Sequence, residues 1–515
     1  MAEREYIVSL NKGVNYDQFW DQIENASTED GFVPTRRVDI VNERPGSLRS
    51  CHYSLTEAEA SQLQDDPRVF GVEIPPDQRD DVEIGLSAIQ TGDFTKTTSD
   101  SGDFVNWGLR RCISNANPYG SGLTENTGQY TYNLDGEGVD VVIQDSGIQP
   151  DHPDFNDANG VSRVQQIDWY AESGLPGTQN ANHYRDFNGH GTHCAGIAAG
   201  NTYGWAKNSR IYSVKVNGLE GSGDSGTGIS ISDCFDVIKL WHRNKPIDPR
   251  TKRKRPTIVN MSWGYGSYFY NVTGGNYRGT SWSGSSRRTD YGMVGTFASF
   301  FYGYRYGTRV ASVDADLQEL IDEGVHVTIA AGNTRQKIDV LGGTDYDNYF
   351  NSSSFGSFRY YNRGGSPADD EAISVGNIDS GVHGTGVEQK AISSENGPGV
   401  DIYAPGTDIM STTSTINEFS SGDYPADPSF KICNISGTSM AAPQVCGVGA
   451  LVLSANPHMT PAQLKSYLTN NCTVDTIYTT GLDNDYNDSR SIKGGNNRYL
   501  YNPFNSQYVF RILEN

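Results

Sequence analysis

Four short apolar runs, "VDVVIQ", "SRIYSVKV", "TIVNMSW" and "VHVTIAAG", are separated by stretches of helical spacing such as "ISDCFDVIKLWHR" and "DADLQELIDEG". Strands that alternate with helices pair in parallel, because the helices supply the crossovers, and helices then cover both faces of the sheet. From about Asn106 onward the chain is therefore expected to be α/β, built on a parallel sheet. In such sheets ligands bind outside the carboxyl ends of the strands. Asp145 stands at the end of "VDVVIQD" and Asn333 at the end of "VTIAAGN".

The first 77 residues read differently. "REYIVSL" alternates like a strand and "NYDQFWDQIENA" has helical spacing. "RRVDIVNERPGSLRSCHYSL" reads as two strands around a Pro-Gly turn. Thr56 and Glu59 form a capping box that opens a second helix, and "RVFGVEIPP" closes as a strand. The order βαββαβ predicts a small ferredoxin-like α+β domain over 1–77. A polar, weakly periodic linker over 78–105 separates it from the α/β domain over 106–475. Near the end of that domain, Thr460, Pro461 and Gln463 open a capped helix. The tail, 476–515, is rich in Asn, Asp, Tyr and Gly and shows weak structure signals.

At 515 residues more than one domain is expected, and a formal charge of −22 argues against nucleic acid as a partner. The run "KRKR" reads as a solvated loop. No stretch has the length of a membrane span, and the N-terminus lacks the pattern of a signal peptide. Seven thinly spread cysteines with no CxxC pair predict buried free thiols rather than zinc. An intracellular or assembly-associated setting is expected.

The segment "NISGTSMAAPQ" places Ser439 ahead of the apolar run "VCGVGALVLSA", which reads as a buried helix whose small residues allow close packing. Pro443 is expected in its first turn. Ser439 has two readings: an N-cap, or a nucleophile at the positive end of the helix. "NGHGTHCAGIAAG" places His190 between glycines at the start of another apolar helix, where a capping or core role is the plainer reading. Taken together, Asp145, His190, Asn333 and Ser439 supply an orienting carboxylate, a general base, an oxyanion donor and a nucleophile. They follow the order Asp, His, Ser.

On "DSGI", "NGHGTHCAG", "SWG", "AAGN" and "GTSMAAP" the chain resembles the subtilisin family of serine endopeptidases, most closely its proteinase K-like branch, over roughly 106–475. The resemblance implies a subtilisin-like fold and peptide or protein substrates, with Asp145, His190 and Ser439 as the triad and Asn333 in the oxyanion hole. It also implies that Gly221, Ser222, Gly223 and Ser262, Trp263, Gly264 are two edges that pair with extended substrate. The N-terminal domain resembles the family's inhibitory propeptide, an intramolecular partner followed by a processing site in the linker. No cofactor is implied for the chemistry. A structural calcium is implied, held by Asp401 and the carbonyls of Asp370 and Ala372, in a loop one residue shorter than the family pattern. Insertions over 266–307 and 334–364 emerge near the expected specificity pocket. They are read either as reshaping the cleft or as surface elaboration. A competing reading keeps the fold as a structural component of a large assembly such as a virus particle.

Overall fold

The computed structural model describes residues 3–26, 31–42, 44–79, 81–86, 89–90, 106–118, 132–224, 229–249, 251–269, 271–284, 291–293, 296–298, 301–353, 358–383, 387–479 and 490–505. At the N-terminus, four strands pair antiparallel in the order Ile40–Asn42, Ser50–Thr56, Glu3–Leu10, Val69–Glu73. The helices Tyr16–Asn25 and Glu57–Gln64 complete the expected βαββαβ order. The Thr56–Glu59 capping box is formed. Val8, Leu10, Phe19, Ile23, Tyr53 and Leu63 close the small core.

The main domain is built on one mostly parallel sheet. Its strands run in the order Thr473–Val474, Arg498–Tyr499, Ile402–Pro405, Ile373–His383, His326–Ala330, Thr257–Met261, Asp140–Asp145, Arg210–Lys215, Val164–Gln166. Side chains alternate across it. Val141 and Ile143 join the core containing the helices His190–Ala199 and Thr438–Ala455, whereas Val142 joins the core containing Ile231–Asn244 and Ala311–Asp322. The helix Thr438–Ala455 is long and apolar enough to cross a membrane, but it lies inside the core. Its glycines explain how closely it packs. A Cβ at Gly447 would stand 2.7 Å from the Trp205 Cβ and 2.8 Å from the Ala198 carbonyl oxygen.

The tail departs from expectation. Arg498–Tyr499 pairs in parallel with Ile402–Pro405, and the buried Tyr499 ring lies against Arg111, which is itself paired with Glu388 at 2.7 Å. The main domain therefore extends past residue 475. A two-residue strand carries no periodicity, so the sequence gives no sign of it. All seven cysteines are free.

The N-terminal sheet rests on the main domain, with helix Ala311–Asp322 packed against strands Glu3–Leu10, Ser50–Thr56 and Val69–Glu73. The contact includes buried polar groups. The Arg44 guanidinium, fully buried, bonds Asp316 at 2.9 Å and Asp236 at 3.2 Å. Glu319 accepts from the backbone N–H groups of Leu48 and Arg49, and Glu73 accepts from that of Ser312 at the start of the helix. Beyond this domain the linker turns into the main domain. Glu83–Leu86 pairs antiparallel with Trp263–Gly266, in the register Gly85 to Gly264 and Leu86 to Trp263. Ile89–Gln90 then pairs with Ile435–Ser436. The rest of the linker, 91–105, lies outside the described residues.

The two insertions form one structure. The strand Trp263–Phe269 runs on into the first, where Phe301–Gly307 pairs with it. Val272–Tyr277 of the first pairs with Tyr349–Ser352 of the second. Phe269, Trp282, Tyr306, Phe350 and Tyr361 pack together beneath them. Asp345 ties the two, accepting from Arg278 at 2.6 and 2.8 Å and from Lys337 at 2.7 Å. Burial opposes its charge, but Arg278, Lys337 and Asn348 outweigh that and hold its carboxyl well below the ordinary range. A lowered carboxyl pKa stabilises the fold above its unfolded value, about 4, and that contribution disappears as pH falls through the folded value. Asp345→Asn is expected to cost roughly 1.5–3 kcal/mol at neutral pH, and the difference from the parent should shrink in acid. Urea unfolding at neutral and acid pH checks both.

Candidate active site

Ser439 is the second residue of the helix Thr438–Ala455, and its cap is Gly437, which has no side chain with which to bond the free N–H groups. The N-cap reading of Ser439 is thereby set aside. Its hydroxyl donates to the Ser262 carbonyl at 2.8 Å. Pro443 lies inside this helix, beyond the first turn where the sequence placed it. Lacking an N–H, it leaves the carbonyl four residues earlier without its helical donor. That carbonyl belongs to Ser439, and it accepts instead from the Ser262 hydroxyl at 3.0 Å and the Cys194 thiol at 3.4 Å. The two serines thus exchange bonds, fixing the "SWG" strand to the start of the serine helix.

His190 is the first residue of the helix His190–Ala199, and Asp145 the last of the strand Asp140–Asp145. The His190 Nδ1 lies 2.8 Å from the Asp145 Oδ1, and both side chains are fully buried. His190 Nε2 is buried without a hydrogen-bond partner among the described residues. Beneath the ring, Cys194 Sγ lies 3.9 Å from Nδ1. Burial first, then the Asp145 charge, pushes that thiol well above its ordinary range, so it stays protonated. Asp186, which the sequence reading missed, holds the loop before His190. It accepts from the backbone N–H groups of Asn188, Gly189 and Thr192 and from the hydroxyls of Ser146 and Thr192. Its one signal is a carboxylate two residues ahead of "NGHG".

Asn333 Oδ1 accepts from the Thr438 N–H at 3.1 Å, which brings this side chain to the N-terminus of the serine helix. The donor end of the amide is then Nδ2. Gly332 precedes it with φ 115°, and a Cβ there would meet Glu395 at 2.9 Å, so glycine is required twice over. A cavity of about 150 Å³ opens beside Asn333 between Gly264, Gly332 and Pro367, with Glu395 in its wall. Burial raises the Glu395 carboxyl to about 8, against the Thr334 hydroxyl and Lys390. Arg305 and Tyr306 also line the cavity, so the first insertion shapes it.

The two expected substrate edges fare differently. Trp263 and Gly264 carry the linker strand. Gly221 packs against the backbone of Phe187 and Asn188, and among the described residues Gly221, Ser222 and Gly223 pair with no strand. The expected calcium ligands do converge, but on a side chain. Lys465 Nζ donates to the carbonyls of Asp370 and Ala372, each at 2.8 Å, and to Asp401 Oδ2 at 2.7 Å. These residues do not fit a metal in this arrangement, because an ammonium already stands at the point they share. The sequence gives no hint of this, since a lone lysine on a short helix reads as a solvated face.

Asp145 and His190 are joined, whereas the Ser439 hydroxyl is bonded to Ser262 and, among the described residues, not to His190; a carboxylate, an imidazole and a serine are the residue types that serine hydrolases with a triad combine. The subtilase family profile matches residues 136–497, and the chain belongs to that family. Proteinase R of Parengyodontium album is 30% identical over 352 residues, 68% of this chain and 60% of its own length. The extracellular serine proteinase of a Thermus species is 25% identical over 445 residues, 86% of this chain and 75% of its own. In fold the chain is similar to fervidolysin from Fervidobacterium pennivorans, a keratinolytic enzyme related to subtilisin. The TM-score is 0.52 at 17% identity, covering 99% of this chain and 62% of that one.

The exchange between the serines is directly testable. Ser262→Ala should leave the Ser439 carbonyl with the thiol alone and cost about 1–3 kcal/mol. Thermal unfolding of Ser262→Ala in a Ser439→Ala background, which cannot digest itself, reads the loss; no change would assign that carbonyl another donor.

Proposed function

We propose that this chain is a serine endopeptidase made as a precursor that inhibits itself. The observation that carries this reading is the path of the linker. Extended chain lies antiparallel on Trp263–Gly266 and next on Ile435–Ser436, three residues before Ser439. Residues 87 and 88 join the two paired stretches. A peptide substrate bound by strand addition would take the same course, its backbone held by the edge and its bond presented to the serine.

In the reaction, the Ser439 hydroxyl turns from the Ser262 carbonyl to His190 Nε2, whose position as a buried unpartnered acceptor supports this role. Its Oγ attacks the scissile carbonyl carbon as Nε2 takes the proton. Asp145 keeps Nδ1 protonated and stabilises the imidazolium. The negative charge on the former carbonyl oxygen falls to Asn333 Nδ2 and the Ser439 N–H, at the positive end of the helix. Collapse breaks the C–N bond, and Nε2 returns the proton to the leaving amine. Water then attacks the acyl carbon as Nε2 takes its proton; collapse breaks the bond from that carbon to Ser439 Oγ, Nε2 returns the proton to Oγ, and the acid leaves.

The N-terminal domain acts as the inhibitor by holding its own linker in the cleft. Tethering raises the effective concentration of that linker far above that of a free peptide. The burial of Arg44 between Asp236 and Asp316 supports a dock of fixed register. The scaffold reading gains nothing specific from the described residues. One relative is named an extracellular proteinase, which leans against the intracellular setting expected from the sequence.

A fluorophosphonate probe should label Ser439 in the processed parent, and His190→Ala should abolish labelling, because an unactivated serine is a poor nucleophile. Asn333→Ala should lower kcat about 10²–10³-fold. Robust labelling of His190→Ala would overturn the mechanism. Self-processing is expected between Leu86 and Ile89, read by N-terminal sequencing of the fragments, with Ser439→Ala remaining full length. Cleavage of purified Ser439→Ala at the same place would remove the self-processing step and leave the peptidase assignment standing.

A further inference from the structure

The oxygen atoms that meet at Lys465 come from two separate segments of the chain, and the lysine from a third. Asp370 and Ala372 lie in the turn leading into the strand Ile373–His383, and Asp401 immediately precedes the strand Ile402–Pro405. Asp401 is tied to the first of these strands, since its N–H donates to the Ser374 carbonyl and its Oδ2 accepts from the Ser374 N–H. Lys465 comes from the helix Pro461–Asn470, whose start is fixed by the Thr460–Gln463 capping box. The ammonium therefore joins the adjacent ends of two parallel strands to the helix Pro461–Asn470.

The match between donor and acceptors is complete. A lysine ammonium has three N–H groups and no acceptor, and here each N–H has one oxygen, at 2.7–2.8 Å. Those are hydrogen-bond lengths. Calcium would hold oxygens at about 2.3–2.6 Å and seek six to eight of them. Charge agrees with geometry: the carboxylate and the ammonium balance, and both side chains are mostly shielded, at 18% and 21% exposure. A divalent ion entering beside the ammonium would meet a like charge with a single carboxylate to offset it.

We propose that Lys465 is a covalently attached substitute for a bound cation, so that this site holds the strand ends and the helix together without calcium. Removing the ammonium leaves one carboxylate and two carbonyls around a common point, and opens the site to calcium. The inference is independent of whether Ser439 is a nucleophile.

The test uses the full-length chain carrying Ser439→Ala, so that self-digestion cannot contribute, and reads Tm in EGTA and in calcium chloride. The calcium-dependent shift should be the same with and without Asp401→Asn, showing that the intact site takes no metal. Lys465→Met should lower Tm in EGTA by about 2 °C or more. It should also gain an upward shift in calcium that Lys465→Met with Asp401→Asn lacks. A calcium-dependent shift in the parent that Asp401→Asn removes would overturn the proposal, since metal would then displace the lysine. So would a Lys465→Met chain with unchanged Tm and no added calcium response. If Lys465→Met does not fold, equilibrium dialysis of calcium-45 against the parent and Lys465→Gln decides. Equal binding by the two overturns the proposal, and an additional ion on Lys465→Gln supports it.

Discussion

Everything at the site depends on a helix that has no solvent face. From Thr438 to Leu453 every side chain is buried, so the N-terminus of this helix has one position relative to the sheet. Most helices are fixed along one stripe. This one is fixed all round, and Gly447 brings it close to Trp205 and the helix His190–Ala199. The break made by Pro443 is absorbed at the same end, where Ser262 and Cys194 replace the missing helical donor to the Ser439 carbonyl. Serine, histidine and the "SWG" strand are thereby positioned by one set of contacts, and a shift in any of them would disturb the others.

The alternation of strands and helices made the fold class legible, as did capping residues such as Thr56 with Glu59 and Thr460 with Gln463, because these signals are local. Asp145, His190 and Asn333 were legible because they stand at ends of recognisable elements and in distinctive motifs. What the sequence hid was pairing between distant segments. Nothing in "EIGL" states that it will lie on Trp263–Gly266, and nothing in the insertions states that residues 272–277 will meet 349–352. Register of this kind is chosen by tertiary context. The Lys465 arrangement was hidden for a related reason. The motif that suggested calcium lies in two segments, and the residue that changes its meaning lies in a third.

The contact between the N-terminal and main domains has a distinct energetic character. Arg44 enters a buried site holding Asp236, Asp316 and, nearby, Lys239 and Glu319. Desolvating such charges offsets much of their attraction, so a buried ionic cluster is weak evidence for tight association. It is strong evidence for alignment, because a displaced Arg44 would leave two buried carboxylates facing each other. The apolar contacts around it, such as Gly71 against Ala311, tolerate small slips that the ionic cluster does not. Alignment is what a linker needs if its backbone is to meet Trp263–Gly266 in one register.

The linker strand also changes what kind of surface the cleft presents. Trp263–Phe269 is flanked by Phe301–Gly307 on one side and by Glu83–Leu86 on the other. With the linker in place, the backbone of Trp263–Gly266 is paired on that side and the linker itself becomes the edge strand. Without it, a row of backbone donors and acceptors faces solvent, which is the template on which extended chains of any sequence add themselves. An edge that accepts foreign backbone, the role proposed for this one, cannot be blunted with proline, bulges or inward charges, the devices that keep other edges apart. While the linker is seated, the donors and acceptors of Trp263–Gly266 on that side are satisfied within the chain itself.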